Sequence, residues 1–395
     1  MHPSYTFRAK LFTGMTRNIL IVGIVSLFTD LSSEMVFPLI PLFLTAVLGM
    51  GACAVGIVEG AAETTASLLK VISGYWSDKL KTRKPFMLLG YSLSSITKPL
   101  FALANSYNFV LGIRVIERIG KGIRNAPRDA IVADSCDISV RGKAFGIHRT
   151  MDTIGATLGA VVAFLLLPIL GYRNIFMLAF IPAIIGVFII LLIKEPPPQR
   201  SEKKIVLNFH SLPVKLKIFI LISSIFGLGQ FSYAFLLLRA KTIGLQDNIV
   251  ILLYILFNIV YTICALPAGI LSDKIGRKPV LVIGYLIFAI TAMELIFTSI
   301  HSILIPFITY GIFYALTEGV QRAFVVDLAP EHLKATALGV FHMAIALVAL
   351  PGGVIAGLLW DKISPTATFI YGATLAIISI VGLCRLSVSG GRLSV

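Results

Sequence analysis

Two pairs of acidic side chains, each pair spaced by four residues, sit inside segments that are otherwise almost wholly apolar. The stretch "SLFTDLSSEMVFPLIPLFL" (26–44) carries Asp30 and Glu34, and the next apolar stretch carries Glu59 and Glu63. A four-residue spacing places both members of a pair on one face of a helix. Further along, Arg114, Glu117, Lys121 and Arg124 recur at three, four and three residues on one such face, while Arg118 points off it. His148, Arg149 and Asp152 follow in another apolar stretch. Carboxylates taken out of water near one another can load and release protons near neutral pH, and an approaching arginine can expel the proton. The chemistry that suits these residues is reversible proton carriage. Asp30, Glu34 and Glu63 are its leading candidates, then Glu117 and Asp152, with Glu59 completing the second acidic pair.

Such charges need elements that hold them away from water. Of 395 residues, 57% are hydrophobic and 13% charged, with a mean hydropathy of +0.92, whereas soluble domains carry about 25% charged residues. That excludes a soluble globular protein and a disordered one. Apolar stretches long enough to cross a bilayer, about 20 residues, fall at 18–46, 53–75, 86–104, 107–127, 143–169, 174–193, 215–239, 248–271, 279–299, 302–326, 335–359 and 365–385. The expected fold is an all-α membrane protein of twelve transmembrane helices. With a rise of about 1.5 Å per residue, Asp30 lies roughly 18 Å and Glu34 roughly 24 Å into span one. Counting inward along span two pairs Asp30 with Glu63 and Glu34 with Glu59. Lys70 and Lys98, nearer the ends of their spans, are expected to snorkel to the interface.

The net charge of +15 alternates along the chain. Arg8, Lys10 and Arg17, the run Lys79, Lys81, Arg83 and Lys84, then Arg141 and Lys143, residues 194–217, and Lys274, Arg277 and Lys278 occupy every second connection. This positive-inside pattern puts both termini in the cytoplasm and the chain in the cytoplasmic (inner) membrane. A nucleic-acid-binding surface would not alternate with apolar spans. Cys53, Cys136, Cys264 and Cys384 are scattered, with no disulfide or metal-ligand spacing. The first apolar run continues past Asp30 to Leu48 without a small-residue cleavage site, so it is expected to be retained as span one.

The chain repeats itself. "GYWSDKLKTRKPFMLLGY" (74–91) returns as "GILSDKIGRKPVLVIGY" (269–285), 195 residues on at the first Gly and 194 at the last Tyr. Asp134 and Gly146 return as Asp327 and Gly339, 193 residues on. Two matches at nearly one period indicate a duplicated six-span unit. The expected organisation is a first bundle at 1–193, a Pro-rich charged cytoplasmic linker at 194–214, and a second bundle at 215–395.

Twelve spans in two repeats, joined by Gly-x-x-x-Asp-(Arg/Lys)-x-Gly-Arg-(Arg/Lys) after spans two and eight, resemble the major facilitator superfamily. Gly269, Asp273, Lys274, Gly276, Arg277 and Lys278 match that motif without a gap. Gly74, Asp78, Lys79 and Arg83 match it with Lys81-Thr82 where the family has one Gly. "RVIERIGKG" in span four is similar to the family's Arg-x-x-x-Gly pattern, with Arg114 as the motif arginine. The resemblance implies two bundles around a central cavity lined by spans one, four, seven and ten, with access alternating between the two sides. The motif residues are expected to latch one conformation. Gly155 and Gly159 are similar to the antiporters' Gly-x-x-x-Gly-Pro, with Ala160 where Pro would stand, and efflux is the expected direction.

A charge at the bilayer centre costs about 2.5–3.5 kcal/mol on insertion scales, so intramembrane charges pair or line water. Structural pairing is the competing account for each, above all for Arg118 and Arg149. The second half has far fewer: Ile345 and Phe341 stand where Asp152 and His148 would repeat. Its polar set is Gln230, Tyr233, Asn258, Tyr261, Tyr310, Tyr314 and Glu318, with Glu294, Arg322 and His342. The first seven, with Arg114, Lys121 and Arg124, are the expected substrate contacts. Together these features point to a secondary active transporter of a small organic solute. It is expected to draw on a transmembrane ion gradient, taken as protons, with no cofactor, metal or nucleic acid, and to act as a monomer. A metal chelate such as a siderophore, or another anionic metabolite, is the alternative cargo. A channel or receptor is the alternative class. An enzyme is disfavoured, since neither Gly-x-Ser-x-Gly nor His-Glu-x-x-His occurs.

Overall fold

Pro38 and Pro41 divide the first apolar run. The computed structural model describes residues 14, 16–137, 140–195, 212–330 and 333–386, and their regular elements are helices. Helix α1 (Arg17–Glu34) stops at the acidic pair; residues 35–38 form turns, and the chain resumes as one turn at Leu39–Leu42 and a π-helical turn at Phe43–Val47. Proline lacks an amide hydrogen and disfavours the helical region for the residue before it. The span expected at 18–46 is present as Arg17–Val47, with this break inside it. Span seven, expected at 215–239, is present as Val214–Thr242 and carries a break as well. Helix α7 (Val214–Gly229) ends at the "GLG" run and α8 (Tyr233–Thr242) restarts three residues later, because two glycines there weaken the helix.

The remaining helices are α2 (Ala52–Leu80), α3 (Lys84–Ala102), α4 (Tyr107–Asp134), α5 (Arg141–Leu178), α6 (Phe180–Ile190), α9 (Asp247–Ile275), α10 (Arg277–Phe297), α11 (Leu304–Leu328), α12 (Lys334–Lys362) and α13 (Pro365–Arg385), counting α7 and α8 in chain order. Helix α4 runs through Pro127 to Asp134, beyond the expected end at residue 127. Among the described residues, eight helical stretches are long and apolar enough to cross a membrane. One of them, Lys143–Ile190, is 48 residues long and bends at Gly171, where φ is 69°. Helices α3, α4 and α11, of 19, 28 and 25 residues, are long enough too but carry more polar side chains.

The chain divides into two compact units. One holds the described residues up to Ile40 and from Thr65 to residue 195; the other holds Pro41–Thr64 and everything described from residue 212 onward. The first half of α2 thus belongs to the second unit. Residues 196–211, the bulk of the expected linker, lie outside the described residues, as do Arg8 and Lys10.

In the first unit, Ile19, Val22 and Val25 of α1 pack with Met87 and Tyr91 of α3, Ile131 and Val132 of α4 and Ile190 of α6. Gly155 and Gly159 abut the backbone at Leu27 and Leu31, so no larger residue fits between α5 and α1. In the second unit an aromatic core forms around Phe226, which stacks on Tyr285 at 3.8 Å and meets Phe288 and Phe313. There α2 also packs on α12. Gly56 meets Gly353 backbone to backbone, Thr64 Oγ1 donates to the Ala346 carbonyl at 2.6 Å, and the amides of Ala52 and Cys53 donate to the Asp361 carboxylate at 2.8 Å each. A carboxylate accepting two first-turn amides is a strong helix cap.

Candidate functional site

The break after α1 turns Phe37 into the first unit, where four cationic head groups gather on its ring. Arg114 Cζ lies 4.3 Å from the ring centre, Arg118 Cζ 4.6 Å, Lys98 Nζ 4.7 Å and Lys121 Nζ 6.0 Å. All four distances are within cation–π range. Glu117 is the acid among them: Arg114 Nη1 and Arg118 Nε each lie 3.3 Å from its Oε2. Lys98 also reaches Ser33 Oγ at 3.3 Å. One turn further along α4, Arg124 stacks on Tyr91 at 4.5 Å and donates to Ser94 Oγ at 2.5 Å. Ser94 Oγ in turn donates to the Glu117 carbonyl at 3.1 Å. Arg114, Glu117, Arg118, Lys98 and Arg124 are buried, and Lys121 is half-buried.

Two sequence-based expectations change here. Lys98 is 1% exposed instead of snorkelling. Arg118, off the α4 stripe by periodicity, faces the same ring as Arg114, because Phe37 offers a wall broad enough for both residues.

Asp30 lies one turn before the end of α1. Its electrostatic neighbours are Asp152, Lys121, Arg128 and Arg124. Asp152 is buried, 3.6 Å from His148 Nε2 and 3.9 Å from Arg149, and His148 Nε2 shares a 2.8 Å hydrogen bond with Ser26 Oγ. Arg128 pairs with Asp129 at 2.8 Å. The structure thus brings Asp30 to Asp152. Asp30 and Glu34 belong to the first unit and Glu59 and Glu63 to the second, so the expected pairs divide between the units.

In the second unit, α9 and α11 gather most of the expected polar set. Tyr261 donates to Glu318 at 2.6 Å, and Arg322 donates to the other Glu318 oxygen at 2.5 Å. Tyr314 packs against Tyr261, Phe257 and Tyr310, within electrostatic range of Glu318 and Glu63. Tyr310 donates to the Phe231 carbonyl, freed by the α7–α8 break, at 2.7 Å. Tyr233 packs on Tyr254, whose carbonyl accepts from Asn258 at 2.9 Å. Gln230 stands at the break itself. At the 193-residue offset, Tyr310 and Tyr314 occupy the positions of Glu117 and Lys121.

The duplicated motif folds the same way twice. Arg83 pairs with Asp78 at 3.6 Å and with Asp134; Arg277 pairs with Asp273 at 2.5 Å and with Asp327 at 3.3 Å. Gly276 takes φ 94° in the second copy, and in the first, where the family glycine is missing, Lys81 takes φ 54°. Lys84 donates to the Leu191 and Ile193 carbonyls, and Lys278 to those of Cys384 and Leu386, capping the last helix of each half. Gly74 approaches Ala126 on α4. Lys79 lies over Trp76 and Tyr75, and the Gly269 carbonyl accepts from Ser272 Oγ at 2.7 Å.

The sequence model of the Major Facilitator Superfamily matches residues 22–246 and again 218–390. The chain belongs to the Major Facilitator Superfamily. An uncharacterised MFS-type transporter of Methanocaldococcus jannaschii is 43% identical over 92% of this chain and 94% of its own. The fosmidomycin resistance protein of Escherichia coli is 25% identical over 87% of each chain. A crystal structure of a nucleoside transporter superposes with a TM-score of 0.82 at 15% identity, covering 94% of this chain and 100% of that one. This superfamily member is a multi-pass membrane protein and a secondary transporter, not an enzyme.

Sequence reasoning did not single out Phe37, Tyr91, Ser94 or Asp361 in this superfamily chain, and it placed Lys98 at the interface. The prolines at 38 and 41 signalled a break and hence a residue turned inward. A lone Lys in "SLSSITKPLF" (92–101) carries no such signal.

Proposed function

We propose that this superfamily member moves a small organic solute across the cytoplasmic membrane by proton-coupled alternating access, with efflux as its direction. It crosses the membrane twelve times with both termini in the cytoplasm and works as a monomer. The eight apolar stretches support the twelve passes: the one bent at Gly171 counts as two, and α3, α4 and α11 complete the set. The alternating basic connections support the orientation.

The observation that carries proton coupling is the meeting of Asp30 with Asp152 among Lys121, Arg124 and Arg128. Two carboxylates in one low-dielectric setting compete for protons, and cations that shift with conformation change the outcome. In the second unit, the tyrosines, Asn258 and Glu318 suit the organic body of a cargo, with apolar faces and few polar groups. The duplicated motif, with its paired Asp–Arg–Asp chains, supplies charge contacts that can break and re-form as the halves exchange access.

The test is solute flux in proteoliposomes under an imposed pH gradient, with internal pH followed by a dye. The solute comes from a thermal-shift screen of metabolites, drugs and chelates. Asp30→Asn and Asp152→Asn are expected to uncouple flux from the gradient while solute still binds. Undiminished gradient dependence in both variants removes these acids as carriers.

A further inference from the structure

Ser26, His148 and Asp152 form a polar cluster in the first unit, where α5 lies hard against α1. All three are buried. Residues four apart share a helix face, so Asp152 sits one turn from His148 on α5. The imidazole Nε2 has an oxygen on either helix, Ser26 Oγ of α1 at 2.8 Å and Asp152 Oδ1 of α5 at 3.6 Å. The first distance is a hydrogen bond and the second is not. Asp152 Oδ1 is buried without a hydrogen-bond partner among the described residues. The other charged groups around His148 are Arg149 on its own helix and Arg128 and Asp129 on α4. Asp30 on α1 reaches the cluster through Asp152.

The fold does not require this cluster. At the 193-residue offset of the repeat, Ser26, His148 and Asp152 correspond to Phe219, Phe341 and Ile345. Phe219 and Phe341 are buried and meet as Ser26 and His148 do, their rings stacked 6.1 Å apart. One copy thus fills the place with apolar side chains, whereas the other buries three polar ones there at a cost in desolvation.

A single N–H serves one acceptor well. An ionised carboxylate outcompetes a hydroxyl for it, since charge-assisted bonds are roughly twice as strong as neutral ones. A protonated carboxyl loses that advantage and leaves the hydrogen to the hydroxyl. We infer that His148 is a positioning residue for the proton-carrying acids, its Nε2–H passing from Ser26 Oγ to Asp152 Oδ1 when Asp152 gives up its proton. A bond joining α5 to α1 is then exchanged for one within α5, and α1, which carries Asp30, is released from it. The ring keeps its own hydrogen throughout, and the Ser26 hydroxyl falls back on a carbonyl of its own helix. This rests on the reading of Asp152 as a proton carrier and adds how its load reaches the neighbouring helix.

Histidine labelled with 15N reports the switch, because the shift of a ring nitrogen and its coupling to hydrogen follow the acceptor. The purified full chain is labelled, placed in lipid nanodiscs and followed from acid to alkaline pH. Of the six histidines, the signal missing from His148→Gln is that of His148. In the parent, its Nε2 signal is expected to move between two positions. Asp152→Asn is expected to hold it at the acid-side position, and Ser26→Ala to remove that position. A signal that stays still in the parent, that moves equally in Asp152→Asn, or that keeps its acid-side position in Ser26→Ala overturns the switch.

Flux in proteoliposomes supplies the functional arm. His148→Phe copies the residue of the other repeat and is expected to melt close to the parent. Its response to a pH gradient is expected to fall at least about fivefold, whereas His148→Gln, which keeps an N–H near the Nε2 position, stays within about twofold of the parent. An unchanged response in His148→Phe overturns the proposal. So does an equal loss in both variants, which would make the ring itself the carrier. If His148→Phe fails to fold, the spectra decide alone. If Asp30→Asn and Asp152→Asn uncouple flux while His148→Phe does not, the switch falls and proton coupling stands. A parent without gradient dependence removes proton coupling, and the spectra still decide whether the hydrogen changes acceptor.

Discussion

Arg83 and Arg277, 194 residues apart, each tie the acid of their own motif to an acid at the far end of a neighbouring long helix. Arg83 joins Asp78 to Asp134, and Arg277 joins Asp273 to Asp327. The loops differ in length by one residue, yet both place a left-handed turn just before the arginine, at Lys81 and at Gly276. The geometry of the charge chain has outlasted the sequence of the turn.

If these chains hold one conformation, breaking either changes rate more than fold. Arg83→Gln and Arg277→Gln are each expected to lower the initial transport rate in proteoliposomes by roughly tenfold, the effect of about 1.4 kcal/mol of conformational bias. Melting temperature should fall only slightly for Arg277→Gln, because the Asp273 and Asp327 carboxylates are largely exposed and exposed ion pairs contribute little, and further for Arg83→Gln, which leaves the buried Asp134 carboxylate without its cation. An unchanged rate in both variants removes the latch.

The Asp361 carboxylate caps the start of α2 beside Cys53. Asp361→Ala is expected to cost about 1–2 kcal/mol, as for loss of a helix cap. It should also speed maleimide labelling of Cys53, which is half-buried in the parent. Equal labelling rates with and without Asp361 would show that the cap does not hold this end of the helix closed.

Glu318 accepts from Tyr261 and Arg322 together. Glu318→Gln removes the charge that holds Arg322, whereas Tyr261→Phe removes one hydrogen bond. Once a cargo is in hand, calorimetry is expected to show a larger affinity loss for Glu318→Gln, about tenfold, since charge-assisted contacts are roughly twice as strong. The reverse ranking places the carboxylate outside the solute contacts.

Phe37→Leu keeps the site apolar but removes the face on which the cations rest. It is expected to lower stability by about 1–2 kcal/mol more than Phe101→Leu, a buried ring that packs on Phe176. Parallel thermal melts of the two variants check this, and equal losses would leave the cation contacts without energetic weight.

The repeat, the paired motif and the Asp134–Asp327 correspondence were legible because duplication writes the same local chemistry twice. The acids and cations of α1, α4 and α5 were legible too, since a charge inside an apolar run stands out. Their partners were not. Helical rise gave Asp30 a depth in the span, but depth does not say which way a face points, and within its own unit Asp30 has Asp152 as an electrostatic neighbour. Lys98 looked free to reach the interface, and only the fold brings Phe37 and Ser33 to it. Both depend on a break whose inward-turned residue no periodicity could name.

Tyrosine stands at 310 and 314 where the other copy holds Glu117 and Lys121. The two copies have therefore diverged in side-chain chemistry, one ionic and one aromatic, on scaffolds that fold by the same rules. If the aromatic copy holds the organic body of the cargo, as proposed, a descendant chain could change that cargo by substitutions there and leave the charges of the other copy untouched.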